Sequence, residues 1–195
     1  MKILFFDTET TGFYSSKVLL NHPSQQRLMQ AAWSICDDDL KEVSSFNYYV
    51  KPVGSKLYQT DGWYIHKGAY DTHKISLEFC ASYGVPIMNI LSLFHQSIYT
   101  VDAVCAHSVK FDEKVMNLEF QRINRDSPLE KKPLICTKEL SDTYRSQYNN
   151  DPRSSKLTVM YEHFKGVDFE NSHNALFDVM ACKEVYTEIK QKGIS

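Results

Sequence analysis

The sequence predicts one α/β domain over residues 1–195, built on a mixed five-stranded sheet of three antiparallel strands followed by parallel ones, with helices on both faces. Three observations predict it. KILFFD at 2–7 is apolar on both faces, the pattern of a central strand covered from both sides. LMQAAWSIC at 28–36 and SFNYYVKP at 45–52 read as two further strands, and the acidic turn at 37–39 between them makes an antiparallel meander. Beyond that point short apolar runs alternate with helical patterns, which gives a layered α/β arrangement.

The elements follow in order. A helix fits 73–83 and stops at Gly84, and another fits 86–98. DAVCA at 102–106 is a short buried strand, and 108–123 is a helix with Ser108 placed as its N-cap. PLIC at 133–136 is the fifth strand. The polar, turn-rich stretch 141–155 reads as an exposed loop, in which Tyr144, Arg145, Tyr148, Arg153 and Lys156 interleave aromatic and basic side chains. Helices fit 156–165 and 172–191, the second capped by Asn171 and Ser172. The stretch 13–26 is irregular.

Composition narrows the function classes. The chain is 43% hydrophobic and 24% charged, the balance of a globular protein. No apolar run approaches the length that a bilayer requires, and MKILFF is too short for a secretory leader, so the expected location is cytoplasmic with no membrane partner. Five widely spaced cysteines with no CxxC pair argue against a disulfide framework or a structural zinc site. A net charge of -2 is too low for a protein that wraps duplex DNA by charge alone. It is compatible with gripping a short strand end, or with bound metal that attracts phosphate.

The acids carry the chemistry. Asp7 and Glu9 alternate along a strand, so they point the same way with Cα atoms roughly 6.5–7 Å apart. Alone, the pair reads as two surface acids at a strand end. Asp112 shares a helix face with Val109, Val115 and Met116, where a carboxylate needs a partner. A salt bridge to Lys114 or Lys138 would satisfy it, and so would a metal. Asp178 borders the stripe Ala175, Val179, Cys182, Tyr186 and Ile189 of the last helix. His173 precedes Asp178 by five residues, about 7.5 Å of helix rise, which hangs the imidazole beside the acid and off the same ion. Together, four carboxylates without clustered cations suit hard divalent ions. Two such ions can stabilise the oxygens of a phosphoryl displacement.

FDTETTG at 6–12, AHSVKFD at 106–112 and HNALFD at 173–178 resemble, in this order, the three motifs of DEDDh-type 3′→5′ exonucleases. The proofreading epsilon subunits of bacterial replicative polymerases are similar. Weaker likeness at VKP 50–52, HKIS 73–76 and CTKEL 136–140 extends the resemblance over roughly residues 2–188. The resemblance implies an RNase H-like fold and two Mg²⁺ or Mn²⁺ ions. It implies that Asp7, Glu9 and Asp178 hold the ion that activates water. Asp7 would also touch the second ion, and Asp112 would bind mainly through water. His173 becomes the general base. Thr10, Thr11 and Gly12 cradle the terminal nucleotide, Phe13 wedges against its base, and Ser108 stands where the family has a substrate-contacting Asn. Gln30 stands where an acid is common. The implied substrate is the 3′ end of DNA, with RNA as the alternative, and a polymerase is the implied protein partner. An inactive nucleic-acid-binding or docking module is the competing reading, against which stand the four retained acids and the histidine.

Overall fold

The computed structural model describes all residues except 23, 53–62, 149–151, 171 and 195. Five strands, β1 (Ile3–Thr10), β2 (Leu28–Cys36), β3 (Glu42–Tyr49), β4 (Ala103–Ala106) and β5 (Leu134–Cys136), form one sheet in the order β3-β2-β1-β4-β5. The first three strands pair antiparallel, and β4 pairs parallel with both β1 and β5. The expected mixed sheet is therefore present.

The pleat of β1 divides the core. Leu4 and Phe6 face one side, where they pack with Trp33 and with Ile90, Leu91 and Phe94 of α3 (Ile87–Tyr99) and Val115, Met116 and Phe120 of α4 (Val109–Arg122). Ile3 and Phe5 face the other, against Ala175, Val179, Cys182 and Tyr186 of α7 (Ala175–Gln191). Period-two alternation thus sends Asp7 and Glu9 toward α7 and Thr8 toward α4. Each fully buried Phe or Leu contributes about 1.5–3 kcal/mol relative to exposure. Trp33 is fully buried, stacks on Phe46 at 4.9 Å and donates its indole N–H to Ser97 Oγ at 3.0 Å.

Four expectations need correction. The helix expected at 73–83 begins only at Leu77, as α2 (Leu77–Tyr83) capped by Ser76, and an unexpected helix, α1 (Lys67–His73), precedes it and ends where Lys74 adopts a left-handed conformation. Most of 141–148 is helical, within α5 (Thr137–Gln147), rather than looped; residues 149–151 lie outside the described residues. Its buried positions are Thr137, Ser141 and Tyr144, helically spaced but polar in type, so no apolar stripe marks the helix. The helix after it, α6 (Leu157–Lys165), lies as expected. Ser108 precedes α4 in a left-handed conformation and its side chain caps nothing. The last helix starts at Ala175, and its capping side chain is Asn174, which accepts from Leu176 N at 3.2 Å. Asn171, one of the two expected caps, lies outside the described residues.

Candidate active site

The site forms where the sheet opens. Pairing between β1 and β4 stops at Phe5 and Cys105, while β1 continues to Thr10. Residues 6–10 therefore have one edge unpaired by β4, on the side where α4 begins. It is also the point where the chain's strand order changes direction, with β2 on one side of β1 and β4 on the other, the usual place for a ligand crevice. Acids from both faces of the sheet meet there.

From α4, Asp112 is 2% exposed and accepts the Thr8 hydroxyl at 2.6 Å. The salt bridges that the sequence allowed are not made. Lys114 stands over the Tyr14 ring at 3.8 Å, and Lys138 pairs with Asp142 at 3.1 Å. From β1, Asp7 and Glu9 are half-buried on the α7 side. From α7, buried Asp178 accepts the His173 backbone N–H at 3.0 Å. His173 itself is exposed and left-handed, with φ 66°. Since the helix begins only at residue 175, His173 folds back over Asp178 and is not raised along the axis away from it. Ligand atoms of Glu9, His173 and Asp178 all lie within 4.8 Å of one another. Asp7 and Asp112 stand beside that trio.

Burial pushes the carboxyls up, and their mutual repulsion adds to it. Asp7 is held well above the carboxylate range, by burial first and then by Asp112, Asp178 and Glu9. Glu9 is pushed to about 8 by burial and by the charges of Asp178 and Asp112. Asp112 and Asp178 are each pushed to about 7 by burial, although the Thr8 hydroxyl and the His173 N–H pull in the opposite direction. Four crowded acids with oxygen donors and no lysine or arginine paired to them among the described residues fit a divalent cation, which would supply the missing countercharge.

A residue whose role the sequence did not reveal holds the trio in place. Gln30 is fully buried and paired in register with Glu9. Its amide donates to Asn47 Oδ1 at 2.8 Å and to Asn174 Oδ1 at 3.2 Å, and its carbonyl oxygen accepts Ala175 N–H at 3.3 Å. It therefore ties β2 and β3 to the first turn of α7, directly after His173. The only sequence signal was a glutamine where an acid is common.

The turn after Glu9 is closed from within. Thr10 Oγ1 donates to Gly12 O at 2.8 Å, and Thr11 Oγ1 accepts Arg27 N–H at 2.9 Å. Gly12 has φ 150°, and a Cβ there would stand 2.4 Å from His66 Cδ2, so the position requires glycine. Phe13 is 81% exposed, with its ring edge on Phe111 at 6.0 Å between centroids. Ser108 lines the same cleft as Asp7, His173 and Asp178.

The family model RNase_T, described as exonuclease, matches residues 4–186. The chain belongs to the exonuclease family. All three motif segments of this exonuclease chain fall within the matched range. Its shape is similar to Escherichia coli exonuclease I in complex with a dT13 oligonucleotide, at a TM-score of 0.74 and 22% identity, covering 97% of this chain and 41% of that one. The zinc-bound form of the E. coli ExoI–ssDNA complex is similar at a TM-score of 0.71 and 23% identity, covering 98% and 40%. The chain thus spans about two fifths of those structures, and the likeness concerns the RNase H-like fold. No curated protein matches the chain by sequence.

Proposed function

We propose that this exonuclease-family chain is a metal-dependent 3′→5′ exonuclease that removes nucleoside 5′-monophosphates from the end of single-stranded DNA. One observation carries the reading: Asp7, Glu9, Asp112 and Asp178 converge from one strand and two helices beside His173, without a cationic side chain among the described residues paired to any of them. Asp7, Glu9 and Asp178 would hold one Mg²⁺ or Mn²⁺, and Asp7 with Asp112 would hold a second. Such ions, when bound, stabilise the attacking and leaving oxygens of a phosphoryl displacement.

The chain's own groups do the rest. His173 takes a proton from the water that attacks phosphorus, and Glu9 and Asp178 beside it stabilise the imidazolium that results. The bond that breaks joins phosphorus to the 3′-oxygen of the penultimate nucleotide, so the phosphate leaves on the 5′ side of the released nucleotide. The hydrogen bonds of Thr10, Thr11 and Gly12 to Gln26, Arg27, His66 and His73 fix the turn against which the terminal sugar is seated. The exposed ring of Phe13 offers a face for its base. Ser108, on the cleft wall, contacts the strand.

Residues 1–195 act as one exonuclease unit in this reading, since all five strands share a single sheet. No helix among the described residues is long and apolar enough to cross a membrane. Five free thiols support a cytoplasmic setting. A polymerase is the protein partner that the family resemblance raises, and co-purification tests it.

The activity test is an end-labelled panel with Mg²⁺ or Mn²⁺: 5′-labelled single-stranded DNA, duplex DNA, RNA of the same sequence, and a closed single-stranded circle. The linear DNA strand is expected to shorten in single-nucleotide steps, fastest of the panel, and the circle to stay intact. Cleavage of the circle at a comparable rate would overturn the exonuclease polarity. Faster trimming of RNA would overturn the DNA preference.

A further inference from the structure

Asp7, His173 and Asp178 line a cleft of about 470 Å³. The same cleft is lined by two lysines from separate elements. Lys138 is in the first turn of α5, and Lys156 immediately precedes α6. Neither lysine forms an ion pair across the cleft with the four acids. Lys138 pairs with Asp142, one turn along its own helix, through an exposed contact that water screens. Lys156 is exposed and makes no ion pair among the described residues. Three other members of the aromatic and basic set read from the sequence are engaged elsewhere. Tyr144 is buried, Arg145 donates to Pro152 O at 2.8 Å, and Arg153 pairs with Glu162 at 3.8 Å.

A strand whose last linkage sits at the acids must lead its next phosphate away from them. That phosphate keeps its full negative charge and lies beyond the ions that the four acids would hold, so it needs cations of its own. The two ammonium groups in the same cleft attract it. We infer that Lys138 and Lys156 form the seat for the second phosphate from the 3′ end, one linkage to the 5′ side of the one cleaved. The inference rests on the exonuclease reading and deepens it. The seat reads charge only, so it grips every sequence alike and orients the strand for stepwise movement.

The test compares the parent chain with one carrying both Lys138→Gln and Lys156→Gln. Each receives an oligonucleotide whose second linkage from the 3′ end is either a phosphate or an uncharged methylphosphonate. In the parent, methylphosphonate is expected to raise KM about tenfold. In the double variant, KM for the phosphate strand is already raised, and the replacement adds nothing. Binding of the all-phosphate strand, followed by anisotropy in chelator without turnover, should lose about 0.7 of log–log salt slope in the double variant, the share of the one phosphate seated. A parent indifferent to methylphosphonate, or a double variant that still discriminates, overturns the seat. If the parent cleaves no strand with Mg²⁺ or Mn²⁺, the exonuclease reading fails separately. In that case an unchanged salt slope overturns the lysine seat as well, and a reduced slope retains it as a phosphate contact.

Discussion

His173 shows how much of the chemistry one backbone conformation decides. Its left-handed φ of 66° directs its N–H to Asp178 and returns its ring to Glu9 and Asp178. The sequence disclosed the histidine and its acid. It did not disclose this fold-back, because helical rise was counted over residues that precede the helix. If the ring is the general base, His173→Ala should lower kcat by about 10²–10⁴-fold with KM little changed. His163, hydrogen-bonded to Tyr144 at 3.0 Å away from the acids, is the control. Equal kcat for parent, His173→Ala and His163→Ala would remove the histidine from the mechanism. Gln30 was legible only as a departure from a family pattern. Its two donated hydrogen bonds explain why a carboxylate would not serve there, since an ionised acid only accepts.

At the scale of elements, the sequence revealed those that bury apolar stripes. β1 opens on the apolar run Ile3–Phe6, β2 is apolar but for Gln30 and Ser34, and the stripe from Ala175 to Ile189 is buried as read. α5 escaped because its buried positions are filled by hydroxyls, with Ser141 bonding back to Thr137 O at 2.7 Å. α1 escaped because a seven-residue helix with one buried side chain leaves no periodicity to read. The irregular stretch 13–26 is held by a buried ion pair that spacing alone does not disclose. Arg122 contacts Glu119 at 2.6 Å, and its guanidinium also donates to Leu20 O at 3.1 Å and Gln26 O at 2.7 Å. Glu119 in turn accepts Leu28 N–H at 3.0 Å. Burial outweighs mutual attraction in this pair, which leaves the Glu119 carboxyl above its ordinary value and the Arg122 guanidinium below its own. Removing one partner strands the other, so Arg122→Ala should cost about 3–5 kcal/mol in a denaturant titration. A loss below about 1 kcal/mol would mean that water already satisfies Glu119.

Over the whole molecule, the sheet order brings three distant motifs to one opening, and the metal-free fold bears the electrostatic cost. Glu9 at about 8 and Asp112 and Asp178 at about 7 stand above their ordinary values of 4.5 and 3.8. The folded state thus favours the protonated acids. Their contribution is full below the ordinary values and is lost as pH rises through 7 to 8. His73 and His107 are held below 6.5, chiefly by burial, and act in the opposite sense, destabilising as pH falls below 6.5. Between pH 6.5 and 8.5 the acids therefore dominate. In chelator, Tm should fall by several degrees across that window, and Mg²⁺ or Mn²⁺ should restore more of it at the alkaline end. A Tm that stays flat or rises without metal would mean that the acids are not crowded as described.

The central claim is that these acids work through bound divalent ions. It is tested most directly by the rate of nucleotide release from a 5′-labelled strand, in Mg²⁺ or Mn²⁺ and in excess chelator, for the parent and for Asp7→Ala. The account predicts release by the parent that stops in chelator and returns with either ion, and an Asp7→Ala chain that is inactive at every metal concentration. Full activity in excess chelator, or an Asp7→Ala chain as fast as the parent, would contradict it.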